Sequence, residues 1–262
     1  VDRRLHHRAF RLSRMPLDVD REQDGNAGHA VNRHILSRFD GDLGHFRSIV
    51  LEMGRRVESQ VVLAGEALAA CDVIRARRVI HEHRQVRDLD MEALEANARL
   101  YAIHQPVARD LRFVLTLSRA VYDLERIGGE AVRLADIAER LYEYQPSVRE
   151  CAIFEDVRRI AAPAISLLRR SIQAIAEENL QLAVEVALEG KDLNDLFEGS
   201  IRRLATYLME DPRNIRWVID ATLGIKAMER VGDHACSIAR NIIYSVTGKD
   251  VRHANRANLV VG

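Results

Sequence analysis

The sequence predicts an all-α protein made of two tandem antiparallel three-helix bundles related by an internal repeat. From Val31 onward, apolar residues recur at spacings of three and four, the pattern of helices with one buried face. Only 14 glycines and 5 prolines interrupt 262 residues that are 47% hydrophobic and 30% charged. That balance suits ion-paired helices better than a loop-rich β fold. The third and sixth apolar stripes also repeat one another at a fixed offset, which divides the helices into two sets of three.

Residues 1–30 mix Arg, His and Asp without sustained periodicity and include Met15-Pro16 and Asp24-Gly25-Asn26. They predict a disordered arm or a leader, and they lack the apolar core of a secretory signal. Five breakers then divide the chain: Asp72, Gln105-Pro106, Tyr144-Gln145-Pro146, Asn179 and Asp211-Pro212. Asp72 can cap the helix that follows it, while proline lacks an amide donor and disfavours helical geometry at the residue before it. The six helices between the breaks should run to about 25–35 residues, about 40–50 Å at the rise of an α-helix. Short turns between long helices make antiparallel neighbours. The first bundle is expected over 31–145, the second over 146–247, and a flexible tail over 248–262. Pro163 falls inside the fourth helix, which it should either kink or shorten.

The repeat is explicit in the stripes. Val114, Leu117, Val121, Leu124, Gly128, Ala131, Ala135 and Ala138 share one helical face. Val218, Ala221, Ile225, Met228, Gly232, Ala235, Ala239 and Ile242 follow them, each 104 positions after its counterpart, as 114 to 218 and 138 to 242 show. Arg112 and Arg216 keep the same register. Glycine weakens a helix interior but lets a neighbouring helix come close, so Gly128 and Gly232 predict tight packing at one level of each bundle.

Beside the glycines stand Glu125-Arg126-Ile127-Gly128-Gly129-Glu130 and Glu229-Arg230-Val231-Gly232-Asp233-His234, again 104 apart (125 to 229). Glu229 and Asp233 are four apart on a helix, so their carboxylates share a face at the margin of the core stripe and could hold a hard cation. Such a pair also occurs on solvated helix faces. His81-Glu82-His83 directs its two imidazoles apart, which is poor chelating geometry and fits a solvated face. No Glu-x-x-His, glycine-rich phosphate loop, Gly-x-Ser-x-Gly elbow or activated cysteine occurs, so no catalytic machinery is visible and the chain reads as a non-enzyme.

With 39 basic and 39 acidic residues, no net field draws the chain to nucleic acid or an anionic membrane. The Arg-rich stretch 3–14 has few aromatics and soon turns acidic, which leaves nucleic-acid binding without support. Cys71, Cys151 and Cys236 form no Cys-x-x-Cys pair, which fits reduced thiols in a cytosol better than disulfides or zinc. No run approaches the about 18–20 apolar residues of a membrane span. The run from Val61 to Cys71 is itself broken by Glu66.

From about Asn32 to Val246 the chain resembles the PhoU family. The resemblance is carried by Asn32-Arg33-His34-Ile35, Phe39-Asp40, Met53-Gly54 and Gln105-Pro106-Val107-Ala108-Arg109-Asp110-Leu111-Arg112. It is carried further by Asp123-Leu124-Glu125-Arg126-Ile127-Gly128 and by Met228-Glu229-Arg230-Val231-Gly232-Asp233-His234-Ala235. It implies a cytoplasmic double bundle, often a homodimer, that represses phosphate uptake and phosphate-starvation signalling. In that role it would be an adaptor between the ATPase of a phosphate ABC transporter and a sensor histidine kinase.

The same resemblance implies metal clusters on Glu/Asp-x-x-x-Asp motifs, and this chain departs from them. Gly129 stands where aspartate is usual, His83 and Arg87 where the second helix commonly offers Asp and Asn or Asp, and Gly190 where an acidic ligand is common. Glu229, Asp233, Asn194 and Glu125 remain as candidate ligands, and their oxygen donors would suit Mg, Mn or Fe. The preferred reading makes Glu125, Arg126, Glu229, Arg230, Asp110 and Arg112 a charged docking surface. The rival readings are a metal-dependent helical-bundle protein or enzyme, and an accessory subunit of another phosphate transporter.

Overall fold

The computed structural model describes residues 25–144 and 153–251, with side chains over 37–143 and 153–251. The described residues form six α-helices and no strand: α1 Gly25–Ala70, α2 Val73–His104, α3 Ala108–Tyr144, α4 Glu155–Glu177, α5 Leu180–Glu210 and α6 Ile215–Thr247. A single 3₁₀ turn, Pro212–Asn214, leads into α6. The chain divides after Arg38, and the larger unit, which begins at Phe39, contains both bundles.

The four breaks among the described residues have the expected causes. Asp72 Oδ1 accepts hydrogen bonds from the amides of Ile74 and Arg75 at 2.9 and 3.1 Å, satisfying two orphan donors at the start of α2. Asn179 Oδ1 accepts from Leu182 at 3.0 Å to start α5, and Asp211 Oδ1 accepts from Arg213 at 3.0 Å to start the 3₁₀ turn. Gln105 ends α2 in the left-handed region ahead of Pro106, and Gly248 does the same after α6 with φ 73°. The third break, at Tyr144-Gln145-Pro146, runs into residues 145–152, which lie outside the described residues, as do 1–24 and 252–262.

The described residues bear on three expectations. α1, Gly25–Ala70, includes six residues ahead of the expected Val31, and no proline stands between Pro16 and Pro106 to interrupt it, while the rest of the expected arm lies outside the described residues. α4 runs unbroken from Glu155 to Glu177 with Pro163 inside it, so the proline does not shorten the helix. Of the tail expected to be flexible over 248–262, residues 248–250 are exposed and Val251 is buried, and the rest lies outside the described residues.

α2 and α3 pack together in the first bundle; α4, α5 and α6 pack in the second. α3 and α6 pack against each other between the bundles. α1 lies along α4 beside them, with Arg169 Nε on Glu58 Oε1 at 2.7 Å and a Cβ at Gly54 only 3.1 Å from Ile172. All sixteen stripe positions are buried. The glycines do what their recurrence predicts: a Cβ at Gly232 would lie 2.0 Å from Leu193 Cδ2, and one at Gly128 would lie 3.0 Å from the His83 ring.

Candidate functional site

α3 and α6 run antiparallel, and a ladder of polar contacts joins them. Arg112 Nε donates to the Ser245 carbonyl at 3.2 Å, and Thr116 Oγ1 donates to the Asn241 carbonyl at 3.0 Å. His234 Nδ1 lies 2.9 Å from Asp123 Oδ1, Arg230 pairs with Glu130 Oε1 at 3.3 Å, and Arg140 Nη2 donates to Asp220 Oδ1 at 2.7 Å. The middle of the ladder falls at Ile127 and Val231, the third residues of the two Glu-Arg motifs, both fully buried. The motif copies therefore meet across the seam between the bundles. Of the residues expected to dock partners, Arg230 and Arg112 are engaged within the chain.

In the second half, Glu229 is buried and faces a cation from its own helix: Lys226 Nζ lies 2.6 Å from Oε2, off the line of a hydrogen bond. The same ammonium sits 4.9 Å from the centre of the Phe197 ring. Burial, and then the charge of Glu229, push the Asp233 carboxyl above its ordinary range, while Lys226, His234 and Arg240 oppose the shift. Asn194 is exposed, next in sequence to the Leu193 that abuts Gly232. Gly190 has a steric reason, because a Cβ there would lie 2.5 Å from the sulfur of the buried Cys236. Cys236 fills the space that an acidic side chain at 190 would need.

The first half is built differently. Glu125 is partly exposed, and its ion pair is with neighbouring Arg126 at 3.8 Å; that guanidinium also lies 5.1 Å from the Tyr122 ring centre. Asp90, from α2, has its pKa raised by burial and then by the charge of Glu125. Both carboxylates line a trough of about 500 Å³ between α2 and α3. His83 is not on the solvated face expected for it. It packs over Gly128, its Nδ1 is buried without a hydrogen-bond partner, and burial, reinforced by Arg87, pushes its pKa down against the pull of Glu125. Asp110 lies apart from both motifs, in a hollow of about 320 Å³ with Arg47, Arg109 and Glu178.

The model of the PhoU domain matches residues 50–138 and 157–242, once in each half of the chain. The chain belongs to the PhoU family. It is 37% identical over 224 residues to the phosphate-specific transport system accessory protein PhoU homolog of Pseudomonas putida, covering 86% of each chain. To the PhoU protein of Escherichia coli (strain K12) it is 33% identical over 225 residues, covering 85% of this chain and 91% of the relative. Its fold superposes on the crystal structure of PhoU from Pseudomonas aeruginosa with a TM-score of 0.77 at 36% identity, over 80% of this chain and all of the other.

The metal clusters implied by PhoU membership do not fit the donors present. Among the described residues, no group of three or more His, Cys, Asp or Glu side chains converges so as to hold an ion. Glu229 already faces Lys226, and Glu125 has glycine rather than a carboxylate four residues on. Sequence reasoning passed over Asp90, Tyr122 and Lys226. The signal for two of them is in the sequence, since Lys226 stands at the repeat position of Tyr122 (122 to 226), outside both the apolar stripe and the Glu-Arg motifs.

Proposed function

We propose that this chain is an accessory protein of phosphate-specific transport, a cytoplasmic negative regulator of phosphate uptake and phosphate-starvation signalling. It acts as an adaptor between the ATPase of a phosphate ABC transporter and a sensor histidine kinase. The observation that carries the reading is PhoU membership across both halves, with relatives of that name matched over more than four-fifths of the chain.

The geometry supports a binding role. The charges of the two motifs are partly spent on holding the bundles together through Arg230–Glu130 and His234–Asp123, and partly presented outward at Glu125 and Arg126. A partner that docks beside one motif therefore acts on a helix whose other face is the seam. A coupling of about 1–3 kcal/mol between two such partners is enough to regulate. None of the described helices is long and apolar enough to cross a membrane, in keeping with partners that carry their own membrane anchorage.

The test is a deletion of the gene, complemented with wild type or with a Glu125→Ala/Arg126→Ala variant and scored by a phosphate-starvation reporter in high phosphate. Loss of the protein should leave the reporter on, and wild type should silence it. Affinity capture from the same cells at high phosphate should recover the transporter ATPase or the kinase, and light scattering should show a homodimer. A reporter indifferent to the deletion, with neither partner recovered, would refute the adaptor.

A further inference from the structure

The two halves treat the equivalent carboxylates, Glu125 and Glu229, differently. Val86 and Leu193 touch the equivalent glycines, Gly128 and Gly232, which sets α2 and α5 in a register 107 residues apart (86 to 193). Asp90 then corresponds to Phe197, Tyr122 to Lys226, and Glu125 to Glu229. In the second half the position is complete: an ammonium lies against an aromatic face and 2.6 Å from the glutamate, whose side chain is 9% exposed. In the first half the lysine is absent, the glutamate side chain is 34% exposed, and a second carboxylate, Asp90, stands in the place of the aromatic.

The surroundings of Glu125 describe what is missing. The trough of about 500 Å³ has the size of a pocket that seats a ligand or a peptide anchor. Its floor includes the buried Phe46 and Val121; its rim carries Met91, Leu94 and Tyr122, each more than half exposed, a grouped apolar surface of the kind that marks interaction sites. Two carboxylates end it. Arg87 also lines it but makes no ion pair among the described residues, and its charge bears on His83, whereas only burial and Glu125 act on Asp90. Arg126, more than half exposed, pairs with Glu125 at 3.8 Å and lies 5.1 Å from the Tyr122 ring centre, so an incoming ammonium displaces a solvated guanidinium there.

We propose that the α2–α3 trough seats a basic amphipathic helix of a partner protein, whose lysine enters beside Tyr122, Glu125 and Asp90 and supplies the ammonium that Lys226 supplies internally in the second half. Leucine-type side chains on the adjacent turns of that helix cover Met91 and Leu94, in the helix-in-groove mode. The aromatic face of Tyr122 and the paired carboxylates select ammonium over neutral or acidic groups. The proposal deepens the adaptor reading by giving the partner's chemistry, and its test needs neither transporter nor kinase, so either can fail without the other.

The full chain, labelled with ¹³C at its methionine methyls, is titrated with an amphipathic helical peptide of leucine and lysine and with the isomer that has glutamate for lysine. Met91 reports on the trough; Met209, 85% exposed on α5, reports on non-specific adhesion. The lysine peptide should shift Met91 saturably and leave Met209 still, and the glutamate peptide should shift neither. Asp90→Asn/Glu125→Gln should weaken binding at least about tenfold, equivalent to about 1.4 kcal/mol. Tyr122→Lys, which supplies the second half's lysine to Glu125, should abolish it, while Glu66→Gln on another face changes nothing. The proposal is overturned if Met91 does not move, or if both peptides act alike. It is overturned equally if Met91 shifts with protein concentration alone, which assigns the trough to a second copy, or is broadened by stoichiometric Mn²⁺, which assigns it to a metal.

Discussion

Gly232→Ala should destabilise the protein by about 2 kcal/mol, although alanine is the better helix former. In an open helix interior the substitution gains about 1 kcal/mol of propensity. At Gly232 the new methyl would sit 2.0 Å from Leu193 Cδ2, 3.5 Å from Leu193 Cγ and 3.6 Å from Leu167 Cδ1. Leu193 would have to retreat by about 1.5–2 Å to reach normal carbon contact. It is 3% exposed, with no free space to enter. Overpacking of this kind costs about 1–3 kcal/mol, and the severity of the overlap puts it at the upper end. Two nearby glycines calibrate the effect. Gly129→Ala meets nothing within 4 Å and should stabilise by about 0.5–1 kcal/mol. Gly128→Ala, facing the His83 ring at 3.0 Å, should come out near neutral. Urea unfolding followed by helical circular dichroism measures all three. Pairing Gly232→Ala with Leu193→Ala should recover most of the overlap cost as a coupling energy. A Gly232→Ala protein as stable as wild type, or a double variant additive to about 0.5 kcal/mol, would refute the reasoning.

Other outcomes follow from the buried polar groups. Because His83 is held below its ordinary pKa, the unfolded chain binds the extra proton first. Stability is therefore full above about pH 6.5 and falls as pH drops toward the folded-state value. Unfolding of His83→Asn across pH 5–7.5 should lack that slope, and an identical pH profile would contradict it. Arg203 donates from Nε and Nη2 to Oδ1 of the buried Asp156 at 2.8 and 2.6 Å. Arg203→Ala should cost about 1–2 kcal/mol in thermal or urea unfolding, the arginine's own exposure limiting the loss, and a neutral result would show that water replaces it. Burial pushes the Cys236 thiol up to about 11, so a thiol reagent at neutral pH should modify Cys71 in the native protein and reach Cys236 only on unfolding. Peptide mapping that finds both labelled at one rate would contradict its burial.

The helices were legible because each break is written in one or two residues that act locally. Asp72, Asn179 and Asp211 cap through their own side chains, and Pro106 and Pro212 interrupt whatever surrounds them. The stripe was legible because burial repeats with the helix period. The N-terminal limit of α1 was not, since Gly25 to Ala30 contains nothing that stops a helix and little that starts one. The fate of the charged residues was not legible either, because it depends on what lies across a helix boundary. Nothing near His83 in sequence indicates that Gly128 leaves room for its ring, and nothing near Gly190 indicates that Cys236 fills the gap.

The repeat is strict along the core stripe and loose beside it. The stripe faces the interior of each bundle, where Gly128 meets His83 and Val86 and Gly232 meets Leu193 and Leu167, and both halves carry Glu-Arg, an apolar residue and glycine there. One position to the side, the constraint lapses. Glu229 has an internal lysine beside it, with a ring against that lysine, and is buried; Glu125 has an open face, a second carboxylate and an exposed tyrosine. Burying a carboxylate without a cation is costly, so the second half resolved that cost within the chain. In the first half, Glu125 remains partly solvated, its charge shared with an exposed arginine. A partner that brings its own ammonium to that trough gains the attraction that Lys226 already provides elsewhere, and it does so against α3, the helix that also forms the seam. The trough and the packing of the two bundles share one helix, α3, so an effect of a docked partner on the seam would be carried by that helix.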